Sequence, residues 1–151
     1  MNKERSVLAV DDSDDDRFLL RRAFCKAAFR CRIHEARNGE EAIAYLQGEG
    51  SYGDRSRFPL PSVVLLDLNM PVKNGFDVLA WVRTRPELRG VSIYVLSASI
   101  RIEDVERAFA LGANAFLFKP GAMEELTALI QSLRDWLRYD HFPPIQRSIP
   151  E

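Results

Sequence analysis

Cysteine is scarce in this chain. Only Cys25 and Cys31 are present, and neither belongs to a Cys-x-x-Cys pair. A disulfide framework, a thiolate metal site and a dithiol redox centre therefore have no support, and both residues read as small thiols kept reduced. Long hydrophobic runs are missing as well. No apolar stretch approaches the roughly 20 residues that a membrane span requires. The opening Met1-Asn2-Lys3-Glu4-Arg5 leads into no hydrophobic signal core, so the expected location is cytoplasmic, with no membrane partner. Charge of one sign is missing too. The 21 Lys and Arg nearly balance the 22 Asp and Glu, for a formal net charge of -1, and without a basic footprint nothing supports nucleic-acid binding. No internal repeat is visible.

What is present suits one soluble domain. The chain has 151 residues, 46% of them hydrophobic and 28% charged, enough to bury a real core. The expected division is a domain over residues 1–138 and a tail over 139–151. The acidic residues are unevenly spread: Asp11, Asp12, Asp14, Asp15 and Asp16 crowd together near the start.

Ser62-Val63-Val64-Leu65-Leu66 is a continuous branched apolar run ending on Asp67, with Pro71 and Asn74-Gly75 as stop signals. A strand buried on both faces looks like this. Other segments repeat the pattern. Ser6 to Val10 ends at Asp11-Asp12, Val91 to Leu96 ends at Ser97, and Ala115 to Phe118 ends at Lys119-Pro120. Cys31 to Ala36 fits a weaker edge strand. Between them lie helical patterns. The first has Ser13 or Asp14 as cap, Phe18, Leu19, Ala23, Phe24 and Ala27 inward, and Arg17, Arg21, Arg22 and Lys26 outward. The second opens at Asn38 with Ala42, Ile43 and Leu46 inward, and the third carries Phe76, Leu79, Ala80 and Val82. The fourth carries Ile102, Val105, Ala108, Phe109 and Leu111 with Gly112 as its stop, and the fifth runs from Met123 to Leu137. Gly48 to Pro61 reads as a loop, unusually long and so either functional or a tolerated insertion. Five strands alternating with five helices predict an α/β fold, a flavodoxin-like (βα)5 doubly wound parallel sheet in the order 2-1-3-4-5.

That order makes the strand ends converge. Asp11, Asp12, Asp67, Ser97 and Lys119 then share one edge of the sheet. Three clustered carboxylates repel one another and raise one another's pKa, so a cation must compensate. Mg²⁺ is the expected cofactor, because it takes carboxylate and carbonyl oxygens and keeps waters. Asp12 and Asp67 would bind directly, Asp11 through water, with a backbone carbonyl near Asn69. A metal beside a carboxylate, a hydroxyl and an ammonium suits phosphoryl transfer. Asp67 would be the nucleophile forming an acyl phosphate, and Lys119 and the Ser97 hydroxyl would meet the phosphoryl oxygens.

With these residues the chain resembles a response-regulator receiver domain of two-component signalling, from about Ser6 to Leu137. Val10-Asp11-Asp12 resembles the acidic pair of that family and Leu66-Asp67-Leu68-Asn69-Met70-Pro71 its phosphoacceptor segment. Ser97-Ala98 resembles the switch hydroxyl and its small neighbour, and Phe118-Lys119-Pro120 the Lys-Pro step. The resemblance implies a cis bond between Lys119 and Pro120 and phosphorylation of Asp67 by a sensor histidine kinase. It implies that Ser97 and Phe116 act as switch residues, and that Asn69 and Ser99 flank the phosphoryl group and tune its hydrolysis. It implies a partner-binding face formed by the fourth helix, fifth strand and fifth helix. The long 48–61 loop and the Trp136-Leu137 end with its proline tail are similar to stand-alone regulators paired with bacteriophytochromes or related sensor kinases. For that subgroup a homodimer through the same face is implied. A histidine phosphotransfer protein is a further candidate partner, and the tail, through Phe142, Ile145 and Ile149, is free to meet its own domain or a second copy.

Three other readings compete. An aspartate-nucleophile phosphatase would want a second carboxylate two residues after the first, where this chain has Asn69. A flavin carrier would need a phosphate loop after the first strand, where Asp11 to Asp16 would repel the ligand. A docking-only receiver would not need the intact set of five residues. The chain is therefore expected to be a phosphoacceptor signalling protein and not an enzyme acting on an external substrate.

Overall fold

Four of the five strands are short, mainly apolar and end on or are followed by a polar residue, the fifth (Arg32–Ala36) is a half-buried edge strand, and the helices between them carry one apolar stripe each. Such pieces bury themselves only by stacking helices on both faces of a parallel sheet. The computed structural model, which describes residues 5–70 and 73–138, shows this arrangement. The elements are β1 (Ser6–Val10), α1 (Asp14–Lys26), β2 (Arg32–Ala36), α2 (Gly39–Gln47), β3 (Val63–Leu66), α3 (Gly75–Arg83), β4 (Ser92–Ser97), α4 (Ile102–Ala110), β5 (Ala115–Phe118) and α5 (Met123–Arg138). Short 3₁₀ turns cover Gly50–Gly53 and Pro86–Leu88. The strand order is β2-β1-β3-β4-β5, all parallel. The expected division at residue 138, the stop at Pro71 and the apolar tail residues lie at or outside the limits of the described residues.

Alternation along the strands divides the core in two. Leu8, Val10, Val64, Leu66, Ile93, Val95 and Phe116 face α2, α3 and α4. Val7, Ala9, Val63, Leu65, Tyr94, Leu96 and Leu117 face α1 and α5. Helix starts follow side-chain capping. Ser13, Asn38 and Asn74 each accept a hydrogen bond from the backbone N–H three residues on, and at α3 Asp77 returns the bond to close a capping box.

Several inward faces differ from expectation. In α1 the buried stripe is Leu20, Ala23, Phe24 and Ala27, and Phe18 and Leu19 stand at the surface. A stripe at this spacing spans about one face of a helix, and positions 18 and 19 fall beyond its edge. Phe18 is covered there by the Arg21 and Arg22 guanidiniums, 5.9 and 6.0 Å from its ring centre. Arg17, expected outward, is buried. In α2 Tyr45 takes the core place expected of Ile43, which is half-buried.

The 48–61 segment is a loop, as expected, and it packs as a cap on the end of α2. Arg55 donates to the carbonyls of Tyr45, Leu46 and Phe58 at 2.9, 3.0 and 3.2 Å. The Leu46 carbonyl is thereby given a partner at the end of α2, where carbonyls have no intrahelical donor. The Tyr45 hydroxyl donates to the Pro59 carbonyl at 2.8 Å. Tyr45, Tyr52, Phe58 and His34 stack around one another with ring centres 5.1 to 6.0 Å apart. The expected cis bond before Pro120 is not found. No described peptide bond is cis, Lys119–Pro120 included, and the trans form is the ordinary one even before proline.

Candidate functional site

The sheet ladder extends one residue past the strands, and it fixes the residues expected to form the site. The Asp11 N–H donates to the Ala36 carbonyl at 3.1 Å, Asp67 N–H to Val10 at 3.0 Å, and Lys119 N–H to Ser97 at 2.8 Å. Three site residues therefore have their backbones fixed by neighbouring strands before any side-chain contact is counted. Gly75 completes this edge. A Cβ there would lie 2.5 Å from the Asp67 carbonyl oxygen and 2.8 Å from Leu68 Cα, so only glycine lets the start of α3 approach the Asp67 loop this closely.

Asp11, Asp12 and Asp67 come together. One carboxylate oxygen from each lies within 4.8 Å of the others. Asp11 is buried, Asp67 half-buried and Asp12 exposed. The donor set is all hard carboxylate oxygen, which fits Mg²⁺ or a similar divalent ion, and its exposed side leaves room for waters. Burial, with the charge of Asp11 next in weight, raises the Asp67 pKa from the ordinary 3.8 to about 6; the charge of Lys119 and the Asn69 N–H pull the other way. Asp67 is thus still largely ionised at neutral pH, but at a cost that a bound cation would relieve.

Lys119 reaches this cluster through Asp11. Its ammonium donates to Asp11 Oδ2 at 2.6 Å and to Asp16 Oδ2 at 2.8 Å. Burial alone would lower its pKa, but these two bonds, with the charges of Asp11 and Asp67, outweigh burial and raise it. Ser97 is buried at the end of β4. Its hydroxyl donates to the Ser99 carbonyl at 2.7 Å and accepts from the Ser99 N–H at 3.3 Å, so it is turned onto its own loop. The Asn69 side chain is exposed, and its backbone N–H donates to Asp67 Oδ1 at 3.3 Å. Phe116 is fully buried among the α2–α3–α4 side of the core.

Two residues of the site escaped the sequence reading. Asp16 is the second partner of Lys119. Arg17 bonds the Asp11 carbonyl, Asp14 and, at 3.1 Å, Glu35 Oε1, tying the acidic loop to β2. Both sit in a run of charged residues at a helix start, where charge is the norm, so only the spatial arrangement singles them out.

Comparison with known proteins agrees with this geometry. The profile of the response regulator receiver domain matches residues 7–131. A probable methanogenesis regulatory protein of Methanothrix harundinacea, FilR2, is 34% identical, over 91% of this chain and 86% of its own. Response regulator Rcp1 of Synechocystis is 31% identical, over 90% of this chain and 91% of its own. The Mn²⁺-bound form of Rcp1 superposes with a TM-score of 0.78 over 93% and 99% of the two chains. The phosphorylated cyanobacterial phytochrome response regulator RcpA superposes with a TM-score of 0.83 at 30% identity, over 94% and 100%. A parallel sheet in this strand order, an acidic triad at its edge and a lysine reaching it from β5 thus agree with what similarity finds independently: the chain belongs to the response regulator receiver domain family of two-component signalling, with phytochrome response regulators among its relatives.

Proposed function

We propose that this regulator accepts a phosphoryl group on Asp67 from a sensor histidine kinase, in a Mg²⁺-dependent reaction, and thereby alters the α4–β5–α5 face for a partner. The observation that carries this reading is the meeting of Asp11, Asp12 and Asp67, with Lys119 drawn into the same cluster. Asp11, Asp12 and Asp67 would hold the ion, with the backbone near Asn69 contributing. Once bound, Mg²⁺ supplies positive charge against a phosphoryl oxygen and offsets carboxylate repulsion. The Mn²⁺-bound state of Rcp1 and the phosphorylated state of RcpA support the same chemistry here.

The chain's own groups do the rest. An ionised Asp67 oxygen attacks phosphorus while the bond from phosphorus to the kinase histidine nitrogen breaks, and the electron pair leaves with the imidazole. Lys119 then has a phosphoryl oxygen to pair with, and the Ser97 hydroxyl turns from Ser99 toward another. Movement of Ser97 opens space beside Phe116, the adjacent-strand partner of Val95, and that change reaches the outer face. Ile102 and Phe118 lie on this face with 57% and 42% of their surface exposed, which suits a homodimer or an apolar partner. The similarity to phytochrome regulators favours a bacteriophytochrome-type kinase as donor, and a histidine phosphotransfer protein is an alternative exchange partner.

Incubation with acetyl phosphate, followed on a phosphate-affinity gel, tests the reading. A retarded band requiring both Mg²⁺ and Asp67 is expected, with none in Asp67→Asn. A band that survives Asp67→Asn would contradict the assignment.

A further inference from the structure

Lys119 does not stand against Asp67 in this structure. Its ammonium is shared by Asp11 and Asp16, and Asp67 is not among its ion-pair partners. The two acceptors differ in kind. Asp11 belongs to the acidic triad, and its other oxygen accepts from the Ser13 N–H at 3.0 Å. Asp16 lies outside the triad, in the first turn of α1. The Asp16 N–H donates to the Ser13 hydroxyl at 3.1 Å, the helix cap itself. Its carboxylate is thus carried on a capped helix start and aimed at the lysine. Around the pair Leu19, Leu20, Leu96, Pro120 and Leu126 line a shallow cavity, an apolar wall against which an ammonium stays near its acceptors.

We propose that Asp16 is a positioning residue that holds Lys119 on the α1 side of the site and competes with the Asp67 phosphoryl group for its ammonium. The inference rests on Asp67 being the phosphoacceptor. In the unphosphorylated state the Asp16 bond keeps the lysine's charge away from an incoming donor. After transfer the phosphoryl oxygens draw Lys119 across, and the Asp16 bond is given up. Asp16 therefore slows phosphorylation and shortens the life of the acyl phosphate, whereas a neutral residue there releases the lysine to the phosphoryl group. Asp15 is a matched comparison, since it is exposed, carries the same charge and sits in the same helical turn.

The test uses the full chain and compares Asp16→Asn, Asp16→Glu and Asp15→Asn. With acetyl phosphate and Mg²⁺, Asp16→Asn is expected to phosphorylate roughly three- to tenfold faster than the native protein and to keep its label correspondingly longer. Asp16→Glu should restore the native rate and Asp15→Asn should stay within about twofold of it. A second readout needs neither metal nor phosphate. Lys119 labelling by an amine-reactive reagent, mapped by mass spectrometry, should be slow in the native protein and in Asp15→Asn but several-fold faster in Asp16→Asn. Equal acceleration by Asp15→Asn and Asp16→Asn would reduce the effect to general electrostatics and overturn the proposal. Unchanged Lys119 labelling in Asp16→Asn would also overturn it. If Asp67→Asn abolishes phosphorylation while Asp16→Asn behaves as native, the phosphoacceptor assignment stands and the role of Asp16 falls.

Discussion

Asp67 carries the carboxyl of this site that burial and neighbouring charge perturb. Its carboxyl is held at a pKa of about 6, first by burial and then by Asp11. The raised value means that the folded protein prefers Asp67 protonated. Below about pH 4 both folded and unfolded chains carry the proton, and Asp67 costs nothing. As pH rises to about 6 the unfolded chain ionises first, so the fold loses stability across that window and the loss persists above it. We expect Asp67→Asn to stabilise the metal-free protein at pH 7.5 by on the order of 1–2 kcal/mol, once solvent screening of this half-buried group is allowed for. The gain should vanish near pH 4. Urea unfolding in a chelator at the two pH values measures both. A destabilised Asp67→Asn at neutral pH would mean that the acidic cluster is not under repulsion. Asp11, Asp12, Asp67 and Lys119 were legible in the sequence because each follows an apolar run. Asp16 and Arg17 were not, because a helix start is where acidic and basic residues occur without special purpose.

At the scale of elements, short strands bring the acidic edge together and small devices hold it there. Gly75 admits α3 against the Asp67 loop, with no space for a side chain. Gly75→Ala would push the Asp67 backbone, and we expect it to lower the initial rate of phosphorylation by tenfold or more and to cost roughly 1–3 kcal/mol in unfolding experiments. The 48–61 segment behaves differently. Its anchor, Arg55, bonds the end of α2 and the loop itself, and none of these partners belongs to the acidic triad. We expect Arg55→Ala to cost about 1–3 kcal/mol of stability through its lost carbonyl bonds while leaving the phosphorylation rate within about twofold of native. Strand and helix identities followed from hydrophobic period and turn residues. The cap did not, since Tyr45, Tyr52, Phe58 and His34 lie at no regular spacing and meet only once the chain has folded. The helix faces were misjudged at Phe18, Leu19 and Ile43, where an apolar residue lies beside the buried stripe and the pattern alone does not show where the stripe ends.

For the whole molecule, the strand order is what turns separate sequence motifs into one site. Strands β1, β3, β4 and β5 are neighbours, so residues 108 positions apart, Asp11 and Lys119, form an ion pair at 2.6 Å. An ion that binds the folded triad and not the unfolded chain must stabilise the fold by mass action. Millimolar Mg²⁺ is therefore expected to raise the melting temperature of the native protein by a few degrees and to do much less for Asp67→Asn, as a thermal unfolding series would show. The phosphoryl group is expected to arrive on Asp67 alone among several crowded carboxylates. Borohydride reduction of the phosphorylated protein converts an aspartyl phosphate to homoserine, and peptide mass spectrometry then locates it. Homoserine at position 67, formed only when Mg²⁺ accompanied the donor, is the expected result. Homoserine at position 11, 12 or 16, with Asp67 intact, would contradict the reading of this site.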